Sequence, residues 1–141
     1  MGLQSEIVAR LRDQAMPPLA MVEAAASPEA AADRPPDATP AAIVLWQDDE
    51  PSPNRLANAV RQTVESNWAV MVAMRNVADG RGAAAASDLD TVKAAVRAAL
   101  LGWQAPSASA VFVYLGGGFA GTDDSHAWFQ LSYQTQEVIS G

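Results

Sequence analysis

Val60-Arg-Gln-Thr-Val-Glu-Ser-Asn-Trp-Ala-Val-Met-Val-Ala-Met-Arg75 is the stretch on which the fold turns. Val60, Val64, Trp68, Val70, Val72 and Met74 share one parity, interrupted by Gln62 and Ser66, while Arg61, Thr63, Glu65, Asn67 and Arg75 take the other. Alternation with a period of two predicts a strand buried on one side. At about 3.3 Å per residue it would span roughly 55 Å, far beyond an ordinary strand. A bend or bulge near Ser66-Asn67, or an end that projects beyond the sheet, is therefore expected.

Outward from this strand the pattern alternates between short strands and helices. Before it, Ala42 to Trp46 reads as a largely buried strand that ends in an acidic, proline-broken loop, Gln47-Asp-Asp-Glu-Pro-Ser-Pro53. Leu3, Ile7, Leu11 and Ala15 recur at helical spacing and predict an amphipathic helix over 3–15, stopped by Pro17-Pro18. Leu19 to Glu23 is a short strand, and Ser27 with Pro28 has the chemistry of a helix start running to Asp33. After the long strand comes the turn-rich connector Asp79-Gly-Arg-Gly82. Ser87 then caps a helix whose apolar stripe is Leu89, Val92, Val96, Ala99 and Leu100, closed by Gly102. Ala110 to Leu115 and Ala127 to Val138 read as further strands, with turns at Gly116-Gly-Gly118 and Gly121-Thr-Asp-Asp124. The last strand places Phe129, Leu131 and Tyr133 on one face and Trp128, Gln130, Ser132, Gln134 and Gln136 on the other.

Composition narrows the function. The 141 residues carry a net charge of −7, with eight arginines and the single lysine Lys93 forming no basic patch, which disfavours a nucleic-acid or anionic-membrane binder. No cysteine is present, so disulfides, thiol nucleophiles and cysteine-ligated metals are excluded. No apolar run reaches the roughly 20 residues of a membrane span, and the first residues lack a signal-peptide pattern, so a soluble intracellular chain of one domain is expected. Thirty alanines inflate the apolar fraction without adding much area, leaving a modest core.

No residue pattern points to catalysis, a metal or a cofactor. Gly116, Gly118 and Gly121 satisfy G-x-G-x-x-G only formally, because the helix that would face a pyrophosphate is replaced by carboxylates and a strand. Asp48-Asp49-Glu50 and, beside the lone His126, Asp123-Asp124 form two acidic loops, and solvated charge is their simplest role. Trp46, Trp68 and Trp103 are expected in the core. Trp128 shares a strand face with serine and glutamines, as a subunit-contact residue would.

Taken in order, several segments resemble the tail terminator, or tail completion, proteins of long-tailed bacteriophages. They are the helix 3–15, the strand entry Thr39-Pro-Ala-Ala-Ile-Val44, Val60-Arg-Gln62, and the alternating strand running into Val72-Ala-Met-Arg-Asn76. Ala99-Leu-Leu-Gly-Trp103 and the closing Trp128-Phe-Gln-Leu-Ser-Tyr133 complete the set. The resemblance implies an α+β fold, a mixed, mainly antiparallel sheet with two main helices packed against it. It further implies a homo-oligomeric ring, a hexamer, in the virion at the head-tail junction. Such a ring caps the head-proximal end of the tail tube protein, stops its polymerisation and meets the head-completion or connector protein, while DNA passes through the lumen. On that reading Asp48, Asp49, Glu50, Asp123 and Asp124 are candidates for lumen or partner-facing acids. Arg61, Arg75 and Trp128 are candidates for subunit contacts, and 47–66 for a projecting hairpin. Two other readings stay open: a different connector or tube module, and a small hydrolase or binding domain using His126 and the acidic loops.

Overall fold

A computed structural model describes residues 2–33, 36–75, 83–123 and 125–141. In chain order the elements are α1 (Leu3–Gln14), β1 (Met21–Ala24), α2 (Pro28–Asp33), β2 (Ala41–Pro51), β3 (Arg61–Arg75), α3 (Ala83–Leu100), β4 (Val113–Thr122) and β5 (His126–Ser140). The five strands form one sheet in the order β1-β2-β3-β5-β4. Only β1 and β2 are parallel; every other neighbouring pair is antiparallel. This is the expected α+β architecture.

Both long helices lie on one face of the sheet. Leu3, Ile7, Val8 and Leu11 of α1, with Val92, Val96, Ala99 and Leu100 of α3, meet Ala42, Val44, Trp68, Val70, Val72, Leu131 and Tyr133 in the principal core. Each fully buried Val, Leu or Ile in such a core contributes about 1.5–3 kcal/mol. Polar anchors fix α1 in place. Arg12 donates from its guanidinium to the Val22 carbonyl at 2.7 and 3.0 Å, and Gln4 donates to the Ala25 and Val44 carbonyls. Arg10 donates to the Ala99 carbonyl and lies 5.1 Å from the centroid of the Trp103 ring. Glu6, buried within α1, accepts from the backbone N–H and the hydroxyl of Ser107 and so ties the helix to the chain that leads into β4.

The opposite face is bare over much of its area and carries one small cluster. Ala31 of α2 packs with Ala41, Ile43, Leu45, Ala69, Ala73 and Trp128. The long strand is thus one-sided only in its first half. From Ala69 to Ala73 both parities are covered, with Met71 half-buried, because small alanines there let α2 close over the sheet. Ser27 caps that helix as expected, its hydroxyl accepting the Ala30 N–H at 3.1 Å.

Four boundaries differ from expectation. β2 does not stop at Trp46 but continues through Gln47-Asp-Asp-Glu-Pro51, so Asp48, Asp49 and Glu50 are strand residues rather than loop residues. Pairing with β3 on its inner side overrides the poor strand propensity of acidic residues. The bulge that a 15-residue strand demanded lies on its partner: the register shifts between Trp46 and Asp48, opposite Trp68 and Asn67. α3 begins at Ala83, and Ser87 is inside it, since alanine is the best helix former and extends the element toward its N-terminus. Gly116-Gly-Gly118 is not a turn but the middle of β4. Gly116 and Gly121, with φ of +135° and +132°, follow two places where β4 carries one extra residue against β5, and these bulges account for glycines in a strand. The connector 79–82 lies outside the described residues.

Candidate functional site

The bare face gathers the polar parity of β3 and β5 with one side of β2. Register places Glu50 opposite Glu65 and Asp48 opposite Asn67 on that face, with Gln136 and Gln134 next to them on β5. The side chains form a chain of hydrogen bonds across three strands. Asn67 donates to Asp48 at 2.6 Å, and Gln134 donates to the Asn67 side-chain oxygen at 2.9 Å and to Glu65 at 3.5 Å. Further along, Gln130 donates to Ser132. Between β2 and β4 the face dips into an open cleft of about 510 Å³ whose lining includes Gln47, Asp48, Asn67, Gln130, Ser132 and Gly116–Gly118 of β4. Three carboxylates, Asp48, Glu50 and Glu65, thus stand among neutral amides, and among the described residues no lysine or arginine ion-pairs with them. The face is polar, acidic and shallow.

The predicted residues separate accordingly. Asp48 and Glu50 share the bare face, whereas the bulge at Gln47 turns Asp49 to the helix side, where it accepts the Trp46 indole N–H at 3.0 Å. Asp49 and Glu6 lie close enough to Glu137 that, together with the burial that is the larger cause, they raise its pKa above the usual carboxyl value. Asp123 sits apart, at the turn between β4 and β5. One of its carboxylate oxygens accepts the Ser125 and His126 amides at 2.9 and 2.7 Å, and the other accepts the Trp128 indole N–H at 3.0 Å. These donors, the indole foremost, hold its pKa down at about 2. Asp124 lies outside the described residues.

Arg61 and Arg75 occupy the two ends of β3, both exposed and on the bare-face parity. Trp128 contradicts its expected exposure: at 9 % exposed it is the centre of the small cluster under α2, and its indole is committed to Asp123. The exposed tryptophan is instead Trp46, at 52 %, because α1 and α3 do not extend over the bulged end of β2. His126 is buried in the same turn, with Nδ1 3.2 Å from Asp123. Glu65, Asn67 and Gln134 belong to the acidic face and had been legible only as a polar parity. Among the described residues no three His, Asp or Glu side chains converge as metal ligands, and no helix is long and apolar enough to cross a membrane.

The chain thus carries both long helices on one face of its sheet and a polar, acidic surface on the other. Its fold is similar to that of a chain in the "Virion of native gene transfer agent (GTA) particle", with a TM-score of 0.53 over 99 % of this chain and 95 % of that one, at 16 % sequence identity. No curated protein matches the chain. The family model "Phage tail terminator protein" matches residues 4–141, and the chain belongs to that family. It is a structural component of a phage-type tail.

Proposed function

We propose that the chain forms a ring, a hexamer, that caps the head-proximal end of the tail tube, ends tube growth and offers the surface that the head connector joins. The observation that carries this reading is the one-sided sheet in a member of the tail terminator family: α1 and α3 cover one face, and Asp48, Glu50 and Glu65 stand on the other. Turned inward, that face gives a lumen whose charge matches DNA in sign, so the duplex slides without adhering. Asp123, and Asp49 on the helix side, are then partner-facing acids rather than lumen acids.

The hairpin of β2 and β3 is the part that reaches toward the tube. Residues 51–61 are all exposed, yet the loop is held in shape by Asn54, whose amide donates to the Leu56 and Ala59 carbonyls and accepts the Arg61 N–H. A loop ordered before contact loses less entropy on docking. Purified chain added to tubes assembling in vitro is expected to halt them with one extra ring at a single end, visible by negative-stain microscopy. Tubes that keep growing, or filaments of the chain alone, would show a tube module instead.

A further inference from the structure

Among the described residues two long edge segments lack a strand partner, one uncharged and the other acidic and ending in Pro51. One is β4. From Gln104 to Thr122 the chain carries no Asp, Glu, Lys or Arg over nineteen residues, and Val113, Leu115 and Phe119 are exposed, the last to 65 %. Soluble proteins guard long edge strands with charge, proline or brevity, and some with bulges that twist the edge away. β4 runs for ten residues with neither charge nor proline, and its two bulges curve it as a closing sheet requires. The second open edge is the far half of β2. β1 pairs only with Ala41–Val44, so Leu45–Pro51 has no strand on its outer side, and Trp46 stands exposed there. Among the described residues no backbone hydrogen bond reaches the outer side of either segment.

Directions also agree. β2 is antiparallel to β3, β3 to β5 and β5 to β4, so β2 runs opposite to β4. A second copy shifted sideways in the same orientation therefore presents its β2 edge antiparallel to the β4 edge of the first, the more stable pairing. Helices remain on one side and the acidic face on the other. The seven residues 45–51 would give a shared ladder of roughly 23 Å. The uncharged β4 edge would receive the exposed Trp46, and the shear of a closed sheet sets the offset between copies.

We infer that Leu45–Pro51 of one copy pairs as an added strand with β4 of the next, a head-to-tail contact that joins the sheets of the ring into one. Such a contact uses a different surface on each side, so each copy gives one edge and accepts one. The inference rests on the ring reading and specifies its subunit interface.

The test blocks each edge separately, using substitutions at exposed positions. Val113→Lys with Leu115→Lys blocks β4, and Trp46→Lys blocks β2; circular dichroism checks that both variants fold. Wild type is expected to form rings, alone or on purified tail tubes, and each variant alone to remain monomeric by mass photometry. Mixed one to one, the variants should give a heterodimer and nothing larger, because only one intact pair of edges remains. Rings from either variant alone, a mixture that stays monomeric, or homodimers of Trp46→Lys would overturn the contact while the ring reading stands. A wild type that is monomeric both in solution and on tubes would overturn the ring reading itself.

Discussion

Glu137 shows how a single carboxylate reports its surroundings. Partial burial, with Asp49 and Glu6 nearby, raises its pKa in the folded chain above the value of 4.5 expected when unfolded. The folded state therefore holds the Glu137 proton more tightly than the unfolded state does. Stability from this group is present below the unfolded pKa and is lost as pH rises through the folded one. Glu137→Gln removes that loss. Thermal unfolding is expected at a higher temperature than wild type at pH 7, by an amount worth less than about 1 kcal/mol because solvent still screens this half-buried group. The gain should vanish near pH 4, and an equal gain at both values would point to packing rather than charge. Single residues were also where sequence reasoning was weakest. Trp46 and Trp128 are both aromatic and lie near polar residues, but their fates were exchanged: the reach of α1 and α3 exposes one, and α2 buries the other. Neither helix contact is written in the residues adjacent to either tryptophan.

At the scale of elements, the decisive glycine is Gly117. A Cβ placed there would stand 2.7 Å from the Tyr114 hydroxyl, 2.9 Å from the Gln130 carbonyl oxygen and 3.0 Å from a Leu131 methyl. The hydroxyl can swing away, but the carbonyl belongs to the backbone of β5 and cannot. Gly117→Ala is expected to push β4 from β5 and cost about 1–3 kcal/mol, as overpacking does, measured by urea unfolding. Gly118, which has open space at the same point, should tolerate alanine with a much smaller loss. Periodicity had made α1, the body of α3, β3 and β5 readable, because each buries a regular stripe. It failed for the far half of β2 and for β4 beyond Leu115, where charge and glycine lower strand propensity and only pairing with a neighbour holds the extended chain. Both failures fall on the two edges assigned to subunit contact.

For the whole molecule, the net charge of −7 becomes a matter of placement. Asp48, Glu50 and Glu65 lie together on the bare face, and a ring multiplies each of them by its subunit number. Replacing all three with Asn, Gln and Gln keeps side-chain size and the backbone of Leu45–Pro51, so in particles whose ring is verified by microscopy DNA delivery is expected to fall, with DNA retained in the tail by contact that wild type repels. Unchanged infectivity in a virion carrying the triple variant would remove the lumen role. Salt provides a second check: screening weakens the wild-type repulsion, so the difference between wild type and the triple variant should shrink as ionic strength rises.

How much of β2 stays open is decided elsewhere in the chain. β1 ends at Ala24, and one further bond, from the Ala25 N–H to the Val44 carbonyl, closes its ladder. Three residues later Ser27 and Pro28 begin α2 and draw the backbone away from the sheet. The capping of a six-residue helix thus works as a ruler: it cuts the first strand short and leaves a seven-residue vacancy whose length is set by local turn chemistry rather than by any residue in the vacancy itself.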